Sequence, residues 1–238
     1  MVSNMQVIFL LSILFLLVNK SKCCIFGSMS HSSSKRSLES LRLDGGLLCL
    51  DFVNTIHSRT ESPAFDYLTD YADLLAWLLK CGAAPKPVIN KLTGMYRLGK
   101  PQSARFLKRA KQLREELYRI FSALADDCDP VAEDIEKFNS RVNHTWKALQ
   151  LEGESGGWEW SWIRAQIDLA HPLRLVIKSA AELLLSDEVN RIRECPACGW
   201  VFLDRSKNGS RRWCSMDTCG SIDKASRYYY RNKQKNKA

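Results

Sequence analysis

The stretch from 195 to 220, CPACGWVFLDRSKNGSRRWCSMDTCG, gathers four of the chain's nine cysteines into two close pairs. The spacing is Cys195-x2-Cys198, fifteen intervening residues, then Cys214-x4-Cys219. Two short pairs within one small unit suit the four-ligand tetrahedron of zinc, whose Zn–S bonds measure about 2.3 Å. Pro196 stiffens the first turn, and Gly199 lets backbone N–H groups swing toward the sulfurs. Between the pairs, WVFLD (200–204) and RRWC (211–214) read as two short strands joined over KNGS (207–210), where Asn208-Gly209 is a hairpin signal. A helix follows Cys214, placing Cys219 near its N-terminus, where the dipole favours thiolate. Knuckle, hairpin and ligand-bearing helix describe a treble-clef-like finger holding one structural Zn2+ on Cys195, Cys198, Cys214 and Cys219. Four thiolates leave no open position for water, so hydrolysis at the metal is not expected. A unit of about thirty residues has too little core to fold alone, whereas structural zinc contributes about 10–16 kcal/mol in small finger peptides. A disulfide pair or a thiol redox switch fits the same spacing and stays open as the alternative. The other five cysteines, Cys23, Cys24, Cys49, Cys81 and Cys128, are scattered; we read them as small core hydrophobes, or as leader residues for the first two.

Charge separates this end from the rest. The 238 residues carry a net charge of +9. From Arg191 to Ala238, twelve Lys/Arg stand against four Asp/Glu, which leaves only +1 for everything before. A nearly neutral body with a concentrated basic end points to a polyanion partner, nucleic acid first and anionic membrane second.

The beginning of the chain reads differently again. Val7–Val18, VIFLLSILFLLV, is a twelve-residue apolar run interrupted by Ser12 alone, short of the roughly 20 that a spanning helix needs. It looks like a signal h-region, yet no Lys or Arg precedes it and no A-x-A-like cleavage site follows. Met29 opens a polar, Ser-rich lead. We expect translation to start at Met29 and the protein to be cytoplasmic and nucleoid-associated; secretory and membrane-anchored readings remain open because of the apolar run.

The body, residues 44–190 after a leader at 1–43, reads as mainly helical with minor β structure. DYLTDYADLLAWLLKCG (66–82) has Asp/Thr capping candidates, Leu74, Leu75, Leu78 and Leu79 on one face, and a stop at Gly82. A second helix is expected over Pro87–Leu98. The clearest lies in 101–127, where Phe106, Ala110, Leu113, Leu117, Ile120 and Leu124 recur at helical spacing. Its other face, with Lys108, Lys111, Arg114, Glu115 and Arg119, mixes signs and reads as solvated surface. Another helix is expected over Val131–Leu149. In GGWEWSW (156–162), Trp158, Trp160 and Trp162 alternate with polar residues, which is strand periodicity; we expect these rings to pack on the helices, with a ligand cage as the alternative. From His171 the helix resumes with a stripe of Leu173, Val176, Ile177, Ala180, Leu184 and Leu185. It leads into Cys195 with little room for a linker, so the finger (191–238) should dock firmly. Asp51, Asn54 and His57 in LDFVNTIHSR (50–59) are candidate polar site residues, but they show no nucleophile–base signature and read as local caps and core contacts. With no phosphate loop, dinucleotide fingerprint or H-E-x-x-H, no enzyme is expected.

At these residues a family resemblance emerges. CGWVFLDRSKNGSRRWCSMDTCG (198–220) closely resembles the CGNR zinc finger. GGLLCLDFVNT (45–55) and DYLTDYADLLAWL (66–78) resemble the ABATE domain that usually precedes it. The resemblance spans roughly Asp44 to Arg231 and implies a helical N-terminal domain, a four-cysteine zinc site, and stress-induced transcription regulation through DNA. One departure matters: where the family reads Cys-Gly-Asn-Arg, this chain has Cys219-Gly220-Ser221-Ile222, so the zinc ligands survive and the arginine does not. The expected DNA contacts are Lys207, Arg211 and Arg212 on the hairpin with Lys224, Arg227 and Arg231 on the terminal helix. A single small module covers only about 600–1,000 Å² of DNA-binding surface. Strong specificity therefore calls for a homodimer, or for help from the body, which is the natural place for dimerisation or sensing. The alternatives are a protein- or RNA-interaction module and, more weakly, a redox sensor that ejects zinc.

Overall fold

The computed structural model describes residues 36–154 and 156–235; the apolar run at 7–18, Met29, Cys23 and Cys24 lie outside them. Seven helices and two small antiparallel sheets make up the described residues, a mainly α body with a C-terminal finger. The helices are α1 (Leu48–Val53), α2 (Tyr71–Lys80), α3 (Lys86–Leu98), α4 (Lys100–Ala125), α5 (Ala132–Trp146), α6 (His171–Leu184) and α7 (Ser221–Lys235). The strands are β1 (Leu149–Glu154), β2 (Gly157–Trp162), β3 (Ile192–Glu194) and β4 (Val201–Leu203).

Local chemistry sets the ends of these helices. The α2 N-terminus is closed reciprocally: the Asp70 carboxylate accepts from the Tyr71 N–H, while Asp73 Oδ2 accepts from the Asp70 N–H at 2.9 Å. Its other end stops at Gly82, whose φ of +63° is left-handed and suits glycine. α4, 26 residues long, is the spine. Its buried Ala110, Leu113, Leu117, Ile120 and Phe121 face α1, α2 and α6, and the centre of the core is filled by Phe52, Tyr71, Trp77 and Phe121. Phe52 and Trp77 pack with ring centroids 5.4 Å apart.

Four expectations are corrected. Arg114, read as solvated, is 3 % exposed. Its guanidinium donates to both Asp66 oxygens at 2.8 and 2.9 Å and to Thr55 Oγ1 at 3.0 Å. The partners come from a distant loop, which the helix's own periodicity could not reveal. Leu79 and Leu185, placed on buried stripes, are exposed, and Trp77 and Leu183 take the core positions instead. For Leu185 the reason is that α6 ends at Leu184 and the chain turns through a 3₁₀ turn, Asp187–Arg191. The tryptophan segment is a strand, as the alternation predicts, but it pairs with β1 and not with a helix. In that ribbon Leu151 faces Trp160 and Gly153 faces Trp158, and Trp158 is 75 % exposed. Trp162 is half-buried and stands edge-on to His171 at 5.0 Å. Lastly, Cys128 is exposed, whereas Cys49 is fully buried and Cys81 partly so.

The finger does not sit apart from this body. Ile192, Cys195, Val201, Phe202 and Leu203 belong to the same buried cluster as the helices, with β3 and β4 against α4.

Candidate metal centre

The first cysteine pair lies at the turn of the β3–β4 hairpin, which pairs Ile192 with Leu203, Arg193 with Phe202 and Glu194 with Val201. The Cys195 N–H donates to the Trp200 carbonyl at 2.8 Å, and the Gly199 N–H returns to the Cys195 carbonyl at 2.8 Å. Gly199 has φ +69°, as so tight a turn requires. The hairpin is thus displaced from the expected one: β4 pairs with the strand before the knuckle, and residues 211–214 form no strand. The reason is Asp204. Its buried carboxylate accepts from the Ser206 and Arg211 N–H groups at 2.9 and 2.8 Å, folding 204–211 around a side chain where a ladder was expected. Against the upward push of burial, these hydrogen bonds hold Asp204 below the usual carboxylate range.

The second pair is set by Arg211 and a short turn. The Arg211 guanidinium lies 4.8 Å from the Phe202 ring centroid and donates to the Trp213 carbonyl at 2.9 Å and to the Cys214 carbonyl. Met216–Gly220 then forms one π-helical turn carrying Cys219, and α7 starts at Ser221. Arg42, from the body, donates to Ser215 Oγ beside Cys214.

These elements bring all four ligand atoms within 4.8 Å of one another, with Cys198···Cys214 and Cys214···Cys219 each 3.6 Å. A zinc tetrahedron with bonds of about 2.3 Å has sulfur–sulfur edges of about 3.8 Å. A disulfide would need about 2.05 Å. Hydrogen bonds from Cys198, Cys214 and Cys219 pull the Cys195 thiol far below its ordinary value, and Cys195 in turn raises Cys198 and Cys214. Four thiolates at these separations repel one another, and a shared cation offsets that repulsion. The donor set and its spacing fit one structural zinc ion. By contrast, burial pushes the isolated thiols Cys49 and Cys81 up to about 12, so neither is a ready nucleophile or ligand.

Asp51, Asn54 and His57 have separate roles. His57 Nδ1 meets Tyr67 Oη at 2.9 Å. Asp51 Oδ1 accepts from the Gly45 N–H at 2.8 Å, and the Gly45 carbonyl accepts from the Leu203 N–H at 2.9 Å. Asn54, fully buried, donates through Nδ2 to the Val201 carbonyl at 2.8 Å and accepts from the Val201 N–H at 3.1 Å. Both are core contacts, and Asn54 reaches the finger directly, 147 residues on, whereas Asp51 reaches it only through Gly45. Sequence reasoning missed their neighbours. The Arg59 N–H donates to the Cys198 carbonyl at 2.8 Å, Thr60 Oγ1 to the Ala197 carbonyl at 3.1 Å, and Trp200 Nε1 to the Ile56 carbonyl at 2.7 Å. The density of polar residues in 54–60 was the available signal.

The basic candidates do not form one set. Lys207, Arg212, Lys224 and Arg227 are exposed, Arg227 in an ion pair with Asp223 and Arg212 over the Trp213 ring at 4.8 Å. Arg231 lies on α7, with its side chain outside those described. Arg211 is turned inward on the carbonyls named above. Tyr228, Tyr229 and Tyr230 are all exposed, and Ile222, where the family carries arginine, is exposed too.

Among known sequence families, residues 46–187 match ABATE, described as "Putative stress-induced transcription regulator", and residues 191–232 match the CGNR zinc finger. No curated protein matches the chain. No described helix is long and apolar enough to cross a membrane.

Proposed function

Since this chain belongs to the ABATE family and carries a CGNR zinc finger, we propose that it is a zinc-dependent DNA-binding transcriptional regulator, non-enzymatic, acting in the cytoplasm at the nucleoid. One observation carries the reading: the zinc site joins the loop bearing Lys207 and Arg212 to the helix bearing Lys224, Arg227 and Arg231, all in the part of the chain with a net charge of +8. A fixed relation between two cationic elements lets one follow phosphates while the other meets a groove. The metal supplies rigidity and no chemistry, because four thiolates fill its coordination.

With Arg211 held inside, about five phosphates are neutralised, giving a log–log salt slope of about −4.5. Titration of duplex DNA with zinc-loaded protein at rising salt tests this; absence of binding at low salt refutes it. One observation favours a second reading. Exposed Tyr228, Tyr229 and Tyr230 suit stacking on unpaired bases, and α7 carries Ile222 in place of the family's arginine. Competition between single-stranded RNA and duplex DNA separates the two. A homodimer formed through the body would supply the area that one finger lacks.

A further inference from the structure

The two halves of the metal centre are held in different ways. On the first, the body segment 54–60 runs along the knuckle: Asn54 takes both backbone groups of Val201, and Arg59 and Thr60 donate to the carbonyls of Cys198 and Ala197. Arg59 is itself immobilised. Its guanidinium stands 3.6 Å from the Tyr118 ring centroid and donates to Glu115 Oε2 at 2.8 Å and the Val53 carbonyl at 2.9 Å. Gly199 lets this contact close, because a Cβ there would lie 2.9 Å from the Arg59 Cβ. Cys195 is fully buried in the common core, which Trp213, Cys214 and Cys219 also join, so the two halves differ in their backbone anchoring and not in burial. On the second half, the carbonyls of Trp213 and Cys214 are taken by Arg211, a residue of the finger, and the body reaches in through Arg42 to Ser215. Past Gly220 the helix α7 is largely exposed, packing chiefly on the π-helical turn that leads into it.

We infer that the centre works as a post and a latch: the body segment Asn54–Thr60 holds Cys195 and Cys198 in place with or without the ion, and the ion draws Cys214, Cys219 and α7 onto them. Metal affinity is then set in part by body residues that touch no sulfur, and loss of the ion frees α7 while β3 and β4 stay docked. Groups that orient ligands without touching a metal typically change its affinity about 10–100-fold.

The test uses the full chain loaded with Zn2+, and with Co2+ as a spectroscopic probe of the thiolates. Asn54→Ala should weaken metal affinity, read by chelator competition, about 10-fold or more, with the four-thiolate Co2+ spectrum retained. Thr60→Val, which removes the donor to the Ala197 carbonyl, should weaken binding in the same direction. Affinities within twofold of the parent for both Asn54→Ala and Thr60→Val overturn the inference. Should Asn54→Ala not fold, hydrogen exchange on the parent chain decides. After chelation, residues 211–235 are expected to lose protection while 192–203 keep theirs; both losing it together, or neither losing it, overturns the proposal.

Discussion

Asp51→Asn tests the seam between body and finger. Asp51 is 9 % exposed, and burial, with Asp44 nearby, raises its pKa from 3.8 to about 7 against the single hydrogen bond from Gly45. A carboxyl whose folded-state pKa lies above its unfolded value favours folding fully below the unfolded pKa, near 3.8, and loses that contribution as pH rises through about 7. With these two values, linkage gives a loss of about 1.3 kcal/mol between about pH 6 and pH 8. The asparagine keeps an oxygen for the Gly45 N–H and cannot ionise, so its stability should lack this component. Urea unfolding of both zinc-loaded chains at about half-unit pH intervals between 6 and 8 measures it. Subtracting the two curves removes the histidines, including His171, whose burial lowers it to about 4 and which both chains share. Parallel curves would show that Asp51 is already ionised at about pH 6, and the account of its burial would fail.

Arg114→Met should destabilise by about 2–4 kcal/mol in thermal or urea unfolding, since it strands the partly buried Asp66; the loss stays below the full cost of a broken buried pair because Lys111 remains 2.9 Å away. Trp77→Ala should cost about 3–5 kcal/mol, whereas Trp158→Ala should stay within about 0.5 kcal/mol, since the first ring is enclosed and the second stands in water. Cys214→Ser should remove one equivalent of zinc by metal analysis and abolish the Co2+ thiolate band, leaving the helical far-ultraviolet signal of the body in place.

The metal ligands were legible in the sequence because their information is local: two short pairs at zinc spacing need no knowledge of the rest of the chain. The helices were legible for the same reason, through apolar periodicity and caps such as Asp70 and Gly82. Three things were not. The hairpin was assigned to Asn208-Gly209, a good turn signal, but Asp204 organises that loop through two N–H groups, and a carboxylate's choice of partners leaves no periodic trace. Arg114 and Arg211 carry the composition of surface cations, yet each is consumed by partners that only the tertiary fold supplies. The tryptophan ribbon shows the opposite case, in which alternation gave the strand correctly while its exposure depended on what, if anything, came to cover it.

The border between the two sequence families, after 187 and before 191, falls inside the 3₁₀ turn Asp187–Arg191, one residue short of β3. Physically this is the middle of a joint, since the strand that follows packs on α4 and buries Ile192 in the core of the preceding family. The finger is therefore a poor candidate for shuffling between proteins: transplanted elsewhere, it would expose Val201 and Phe202 and leave Trp200 without its carbonyl, and a foreign finger grafted here would have to answer Asn54 and Arg59. The two families are expected to be inherited as a pair, with changes in 54–60 matched by changes in 197–203.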